Sequence, residues 1–392
     1  MNKMSIAIYT LTSELHDEAA MDASQKAFLD SLDITFDFRA GNFADYGTHA
    51  LDLIYVRTGG TEGIFRRLLP QLQAQSQQSF YLLTSGKSNS LAASMEILSF
   101  LRQHALSGEI LHGQAGFVGQ RIHLLAEVNE AKRQLSGVRL GVIGQPSDWL
   151  IASQADYDAV RQKLGITLTD IPIAELLQRL GDMKGCATPM DGAEHIYRVL
   201  KALVADYVLR GFTLRCFDLL SAVRNTGCLA LAQLNAEGIV AGCEGDVPAM
   251  LSMQIVSALT GVSGFQANPA SVDSETGEVL FAHCTIPLNM VERYEFDTHF
   301  ESGIGVGIRG YMAEGPVTIF KVSGDLTRSF ICEGQLVRSQ SKPDLCRTQQ
   351  VIRLSDPAYA SYFLTNPIGN HHIVVPGHRR ALLEAFFSLI ED

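Results

Sequence analysis

The chain alternates short runs of β-branched and aromatic residues with longer stretches in which apolar residues recur every three or four positions. In the first part of the chain this pattern predicts strands at 5–11, 33–39, 51–57 and 79–85. The helical spacing predicts helices at 15–32 and 90–105. Strands that alternate with helices pair in parallel and carry helices on both faces of the sheet. We therefore predict an N-terminal α/β domain over residues 1–115.

The same alternation starts again after residue 115. Its predicted elements are a strand at 138–148, a strand and a helix within 166–180, a helix at 193–211, a strand at 238–246 and a helix at 248–260. We expect the helix at 193–211 to end at Gly211, because glycine is common at helix C-termini. These elements predict a second α/β domain over residues 116–263.

The character of the chain changes to β from about residue 264. Short β-rich runs such as GEVLFAHCTIP, PVTIFKVSG and HHIVVPG are separated by glycine and proline, which is typical of barrels and sandwiches. A helical pattern at 378–390 follows them. We predict a β-rich, barrel-like domain over 264–392, so that the whole chain is an α/β protein with two doubly wound, Rossmann-like domains and a barrel-like third domain.

Composition excludes several classes of partner. The 392 residues are 46% apolar, which is enough for two or three hydrophobic cores. The formal net charge is −11 and the basic residues form no concentrated stripe, so we do not expect nucleic acid to be a partner. No run approaches the roughly 20 apolar residues that span a bilayer, so we expect no membrane partner.

Cysteine usage and the start of the chain indicate a cytoplasmic protein. The seven cysteines are scattered and include no C-x-x-C pair, which predicts reduced thiols buried as small hydrophobic residues. The first apolar run is too short for the core of a signal peptide.

Candidate chemistry begins with two acids in the motif AGCEGDVPAM. Glu244 and Asp246 follow a predicted strand and precede a predicted helix. Ligands of α/β sheets bind at the carboxyl ends of strands, so this position favours a functional site. Asp246 is explained equally well as the N-cap of the helix. Glu244, which lies between cysteine and glycine, is the stronger candidate.

Several imidazoles lie at the ends of predicted strands further along the chain. His283 ends a strand, His299 and Glu301 are two residues apart and would share a strand face, and His371 and His372 stand at a loop-to-strand junction. A single buried histidine is more often a structural residue than a ligand. Together with a carboxylate, however, neutral imidazoles are the ligands expected for a divalent cation such as Mn²⁺.

Five ordered motifs resemble those of a known enzyme superfamily. The segments CEGDVPAMLSMQIVSALTG, FQANP, AHCTIP, THFESG and GNHH, over about 238–375, resemble the C-terminal half of the L-fucose isomerase and L-arabinose isomerase superfamily. The residues of these motifs are most similar to those of the shorter fucose isomerase-like proteins. The resemblance implies two α/β domains and a β-rich third domain. It also implies a cytosolic homo-oligomer in which a neighbouring subunit completes each active site.

The resemblance further implies an aldose-ketose isomerase that uses Mn²⁺ or another divalent cation such as Co²⁺ or Mg²⁺. By motif, Glu244 resembles the first carboxylate of the family, which is both metal ligand and acid/base. His283 resembles a histidine ligand of the arabinose branch. His371 or His372 resembles the late histidine.

The second carboxylate of the family is replaced here by Asn268, in the segment FQAN. The expected reaction moves a proton between C1 and C2 through a metal-bound enediol. An amide oxygen can coordinate a metal, but the amide cannot take up a proton at pH 7. Either Glu244 alone moves the proton, or another carboxylate supplies the missing base; the candidates are Asp246, Asp273 and Glu301.

The leading prediction is therefore a metal-dependent isomerase that acts on a sugar or a sugar derivative. The alternatives are an epimerase or lyase in the same metal pocket and a non-catalytic sugar-binding protein. Polar loops after predicted strands could recognise hydroxyl, phosphate or sulfonate groups, although ordinary strand-to-helix turns explain them equally well. Trp149 could stack on a pyranose or belong to the core. The predicted substrate-binding residues are Arg57, Thr58, Ser85, Asn89, Trp149, His299, Glu301 and Asn370.

Overall fold

The structure, a computed structural model, describes residues 5–16, 21, 26–76, 78–183 and 185–391. The contacts divide the chain into two compact units, Met1–Arg133 and Gln134–Glu391. The predicted domain boundaries at 115 and 263 remain predictions.

Five of the described strands form a parallel sheet in the first unit, in the order β2-β1-β3-β4-β5. They are β1 (Ile6–Leu11), β2 (Asp37–Ala40), β3 (Leu51–Val56), β4 (Phe80–Leu83) and β5 (Gly108–Leu111). The helices are α1 (Glu62–Gln75), α2 (Ser90–Gln103) and α3 (Ala115–Leu135), with a 3₁₀ turn at Lys87–Asn89. The predicted helix at 15–32 lies partly outside the described residues.

Helices cover both faces of this sheet, as the alternating pattern predicted. One face buries Tyr9 and Phe65, and the opposite face buries Leu53 and Ile122. The strands β1 and β3 are buried along their whole length, which explains why most of their residues are apolar and do not alternate with polar ones.

A second parallel sheet, in the order β7-β6-β8-β9, begins the second unit. Its strands are β6 (Arg139–Ile143), β7 (Thr167–Ile171), β8 (Gly211–Leu214) and β9 (Val240–Cys243). The helices around it are α4 (Tyr157–Leu164), α5 (Ile173–Leu180), α6 (Pro189–Asp206), α7 (Cys216–Val223), α8 (Cys228–Ala236) and α9 (Val247–Thr260). No helix in the described part of the chain combines the length and apolar character needed to cross a membrane.

The predicted end of the helix at Gly211 was wrong. Helix α6 starts earlier, at a capping box between Thr188 and Asp191, and ends at Asp206. Gly211 instead begins β8. A Cβ at this position would lie 2.7 Å from the carbonyl oxygen of Val240, so glycine is needed here for close contact with β9.

The last part of the second unit is a closed six-stranded antiparallel barrel, in the order β10-β11-β16-β15-β14-β17. Its strands are β10 (Phe265–Asp273), β11 (Glu278–His283), β14 (Gly315–Val322), β15 (Ser329–Ser339), β16 (Thr348–Leu354) and β17 (His372–Pro376). The hairpin β12 (Arg293–Asp297) and β13 (Gly307–Tyr311), the 3₁₀ turns Leu288–Met290 and Pro357–Tyr359, and the helices α10 (Ala360–Thr365) and α11 (Arg380–Glu391) complete it. The predicted fold class, two parallel-sheet α/β regions followed by a barrel, is confirmed.

Polar contacts join the parallel sheet of the second unit to its barrel. The side chain of Gln266 on β10 accepts a hydrogen bond from the Cys243 N–H at 2.8 Å and donates one to the Cys243 carbonyl at 3.2 Å. The Ser252 hydroxyl on α9 accepts a hydrogen bond from the Val322 N–H at 3.1 Å. The carboxyl end of β9 is therefore fixed against the barrel.

Candidate metal centre

Glu244 lies in a tight turn directly after β9. Glu244 and Gly245 both have positive φ, 62° and 61°. A non-glycine residue in this region carries backbone strain, which is most often found at functional sites. The Ser147 hydroxyl, in the loop after β6, donates a hydrogen bond to the Glu244 carbonyl, and a Cβ at position 245 would lie 2.9 Å from that hydroxyl. The neighbouring loop thus packs on the turn and holds Glu244 at the strand end.

Two histidines of the barrel face this carboxylate. The Nε2 atoms of His283, at the end of β11, and of His371, before β17, each lie 3.6 Å from Glu244 Oε1. The three ligand atoms are all within 4.8 Å of one another. Both Nε2 atoms are buried and have no hydrogen-bond partner among the described residues. Leaving such atoms unpaired costs about 1–3 kcal/mol each, which a bound cation would offset.

The other ring nitrogen of each histidine is held by a neighbouring side chain. His283 Nδ1 lies 2.9 Å from Thr285 Oγ1, and His371 Nδ1 lies 2.9 Å from Asp246 Oδ2. Metal-binding histidines are commonly oriented in this way, because a partner on one nitrogen fixes the ring and leaves the other nitrogen to bind the metal.

Asp246 combines the two roles that the sequence left open. It caps α9, since its Oδ1 accepts a hydrogen bond from the Ala249 N–H at 2.8 Å. Its carboxylate also contacts His371 and lies 3.4 Å from Lys321 Nζ. Asp246 therefore holds the ring of His371, a member of the triad, through the nitrogen that does not face Glu244.

Asn268, on β10, adds an oxygen donor to the same pocket. Its Oδ1 is buried and has no hydrogen-bond partner in the described part of the chain. The pocket is shared with Glu244 and His283. Two imidazoles, a carboxylate and an amide oxygen are consistent with a site for a divalent cation.

The carboxylates and imidazoles of the centre shift each other's pKa values. Burial raises the pKa of Glu244, but the nearby imidazoles of His283 and His371 outweigh burial and lower it. Burial lowers the pKa of His371, but Asp246 and Glu244 raise it to about 9. Two carboxylates thus meet at one imidazole, which holds a proton at neutral pH when no cation is bound.

Two further predicted residues, His299 and Glu301, line the pocket. Burial lowers the pKa of His299, whose Nδ1 lies 3.0 Å from Ser302 Oγ. Trp149 is 39% exposed and its ring lies 5.5 Å from that of Phe217, which does line the pocket. Trp149 is therefore neither a core residue nor part of the pocket wall.

His372 faces away from Glu244. Its Nε2 lies 3.0 Å from the Tyr362 hydroxyl and its Nδ1 lies 2.9 Å from the Asn370 carbonyl. Burial and the charge of Lys321 lower its pKa to about 3. The structure brings His371, and not His372, to the carboxylate.

Asp273 and Asn370 lie elsewhere in the second unit. The Asp273 carboxylate accepts hydrogen bonds from the N–H groups of Glu275 and Thr276 in the turn between β10 and β11. Asn370 is exposed. Neither residue lines the pocket of Glu244.

The predicted polar loops of the first unit contact each other. Arg57 and Thr58 follow β3, and Thr58 Oγ1 accepts a hydrogen bond from the Ser13 N–H at 3.0 Å. Ser85 and Asn89 follow β4, and Asn89 occupies the position before α2 with φ 60°. The N–H of Gly59 donates to the Ser88 carbonyl at 2.7 Å, which joins the two loops at the carboxyl edge of the sheet.

No family model matches the chain. The chain is similar to curated sulfoquinovose isomerases. It is 25% identical to the sulfoquinovose isomerase of Clostridium sp. (strain MSTE9) over 222 residues, which are 51% of this chain and 48% of that protein.

It is also 22% identical over 262 residues to the sulfoquinovose isomerases of Priestia aryabhattai and Alkalicoccus urumqiensis, covering 60% of this chain and 59% of each relative. The aligned part of the chain thus spans about half the length of the curated relatives it matches.

Sequence reasoning missed three supporting side chains and the grouping of the thiols. Lys321 interrupts the apolar run TIFKV, which is the one signal that could have indicated a buried charge. Ser147 and Gln266 carry no distinguishing local pattern. Five cysteines line the pocket, namely Cys216, Cys228, Cys243, Cys284 and Cys346.

The adjacent histidines provide a paired test of the centre. His371→Asn should weaken Mn²⁺ binding by more than about 100-fold, because losing a ligand exceeds the usual 10–100-fold cost of losing an outer partner. His372→Asn should lower thermal stability but keep Mn²⁺ affinity. Isothermal titration calorimetry on both proteins measures this difference. The opposite ranking of the two variants would contradict the assignment.

Proposed function

We propose that this chain is a divalent-metal-dependent aldose-ketose isomerase of the L-fucose and L-arabinose isomerase superfamily, and that its substrate is a sulfonated aldohexose such as sulfoquinovose. The observation that carries the proposal is the convergence of Glu244, His283 and His371 with unpaired buried nitrogens. Similarity to sulfoquinovose isomerases supports the reaction and the substrate class.

The residues that would hold the cation, Mn²⁺ first and Co²⁺ or Mg²⁺ as alternatives, are Glu244, Asn268, His283 and His371. A divalent cation would polarise the carbonyl and the adjacent hydroxyl of the sugar and acidify the C–H between them. Asp246 orients His371 for this task, and Ser147 holds the turn that presents Glu244.

The proton between C1 and C2 must be moved by a carboxylate that reaches the pocket. Asp246 is fully buried and already contacts His371, Lys321 and Ala249. Asp273 caps a distant turn. Glu301 lines the pocket and is exposed to solvent, so we assign proton transfer to Glu244 and Glu301.

The decisive experiment is incubation of the Mn²⁺-loaded protein with sulfoquinovose in D₂O, followed by NMR. We expect the ketose, with deuterium from solvent at C1. Deuterium at one carbon without ketose would instead indicate epimerisation, and shorter products would indicate cleavage. Binding of the sugar without any turnover would favour the sugar-binding alternative.

Asn268→Asp tests whether an amide suffices at the second family position. Because the amide oxygen is proposed only to bind the cation, the aspartate should keep Mn²⁺ binding and change the isomerisation rate less than about tenfold. Steady-state kinetics on both proteins measures this ratio. An Asn268→Asp protein that gains an activity absent from the parent would show that the parent is not an isomerase.

The predicted homo-oligomer with an active site shared between subunits remains a proposal. Light scattering of the Mn²⁺-loaded protein measures the number of subunits, and a monomer that is fully active would contradict it.

A further inference from the structure

Most of the thiols of the chain lie around one pocket. All seven cysteines are described and all are free thiols. Five of the chain's seven cysteines line the pocket that contains Glu244 and His283. These five come from different elements of the second unit, so their meeting at one place depends on the fold and not on sequence spacing.

Two of these thiols, Cys216 and Cys243, are in direct contact. Their Sγ atoms are 3.4 Å apart. The backbone places them together, because Leu214 of β8 is opposite Cys243 of β9 and Cys216 follows two residues later at the start of α7. A disulfide has an S–S distance of about 2.05 Å, so the two sulfurs must approach by about 1.4 Å to form one.

The two thiols differ in accessibility. Cys216 is half-buried and lines the pocket, whereas Cys243 is only 3% exposed. A small oxidant that enters the pocket therefore meets Cys216 first, with Cys243 directly behind it.

We propose that Cys216 and Cys243 form a reversible disulfide that weakens cation binding at the Glu244 centre. With hydrogen peroxide as the oxidant, the Cys216 sulfur attacks one peroxide oxygen, the O–O bond breaks, and water leaves after protonation. The Cys243 sulfur then attacks the resulting sulfenic acid and displaces a second water. The two thiols lose two electrons and two protons in total, and the peroxide is reduced to two waters.

Disulfide formation must disturb the metal centre because Cys243 directly precedes Glu244. The Cys243 backbone is held on one side by Gln266 and on the other by β8. One peptide bond joins Cys243 to Glu244, so a displacement of Cys243 that closes the 3.4 Å gap between the sulfurs also moves the strained turn at Glu244, where φ is 62°. Metal ligands must keep their distances within about 0.2 Å, so a shift of this kind lowers affinity.

Movement of Cys216, instead of Cys243, would also alter the pocket. The residue after Cys216 is Phe217, which forms part of the pocket wall and lies 6.1 Å from the His299 ring. If the start of α7 moves instead of β9, the wall beside His299 moves with it. Either displacement alters the pocket in which the cation and the sugar are proposed to bind.

The test compares reduced and peroxide-treated protein by peptide mass mapping and by Mn²⁺ titration. We expect a Cys216–Cys243 linked peptide, the loss of two hydrogen atoms in intact mass, and Mn²⁺ affinity at least about tenfold weaker. Dithiothreitol should restore both. A different pairing, such as Cys284 with Cys346, or a mapped Cys216–Cys243 disulfide with unchanged Mn²⁺ affinity, would overturn the proposal.

Two variants provide matched controls. Peroxide-treated Cys216→Ser should keep the Mn²⁺ affinity of its own reduced state, whereas Cys186→Ser, which removes a thiol outside the pocket, should respond like the parent. A Cys216→Ser protein that still loses affinity would overturn the inference.

The effect on metal binding rests on the proposed function, and the two can fail separately. A reduced protein that binds no Mn²⁺ would contradict the proposed function. A reduced protein that binds Mn²⁺ but forms no Cys216–Cys243 disulfide would contradict this inference.

Discussion

Glu244→Gln is expected to weaken Mn²⁺ binding by at least about 100-fold and to abolish sugar isomerisation. The substitution keeps the shape of the side chain but removes its charge and its capacity to accept a proton. The Nε2 atoms of His283 and His371 both lie 3.6 Å from the Glu244 carboxylate oxygen, so the glutamine amide would put a neutral group where the charged ligand of the centre stands. Calorimetric Mn²⁺ titration and NMR of the sugar products measure the two losses.

Glu301→Gln is the matched control for metal binding. Glu301 lines the same pocket but does not belong to the triad of converging ligand atoms. We expect it to keep the Mn²⁺ affinity of the parent while the isomerisation rate falls. Mn²⁺ affinity that survives in Glu244→Gln and is lost in Glu301→Gln would contradict the assignment of the centre.

Lys321→Met is expected to destabilise the metal-free protein by about 3–5 kcal/mol. Lys321 Nζ lies 3.4 Å from both Asp246 oxygens, and the two side chains are 1% and 0% exposed. Burial raises the pKa of Asp246, but Lys321 and His371 outweigh burial and lower it to about 2, so this carboxylate is ionised at neutral pH. Removing the lysine leaves the buried Asp246 carboxylate without its ammonium partner. Urea unfolding measures the loss.

A second change separates loss of the ion pair from loss of packing. Asp246→Asn combined with Lys321→Met removes both charges, so the double variant should be less destabilised than the sum of the single variants. Lys201→Met, which breaks an exposed ion pair with Glu237, should leave the unfolding midpoint nearly unchanged. Additive effects of the two buried substitutions would show that the pair does not act as a unit.

Local sequence was sufficient to predict several secondary-structure elements and some of the site residues. The apolar runs predicted β1, β3, β4 and the barrel strand β11, because strands that are buried on both faces are rich in apolar residues. The position of Asp246 before a helix predicted its capping role, since an N-cap depends on neighbours three residues away. The predicted end of α6 was wrong because Gly211 allows close contact between strands and does not end a helix.

The choice between His371 and His372 depended on the barrel. His372 is the first residue of β17 and pairs with Ala267 of β10. Adjacent residues of an extended chain point in opposite directions, so His372 reaches Tyr362 while His371 reaches Glu244. The sequence contains both histidines side by side, but only the strand register decides which one meets the carboxylate.

The sequence by itself determined the kinds of element, their order, and the residue types available for chemistry, because these follow from nearby side chains and periodicity. The tertiary structure alone decided which distant groups meet: the burial of Lys321 against Asp246, the hold of Gln266 on Cys243, and the gathering of five separated thiols in one pocket. Each of these contacts joins elements far apart in the chain, and their positions depend on how the barrel packs on the end of β9.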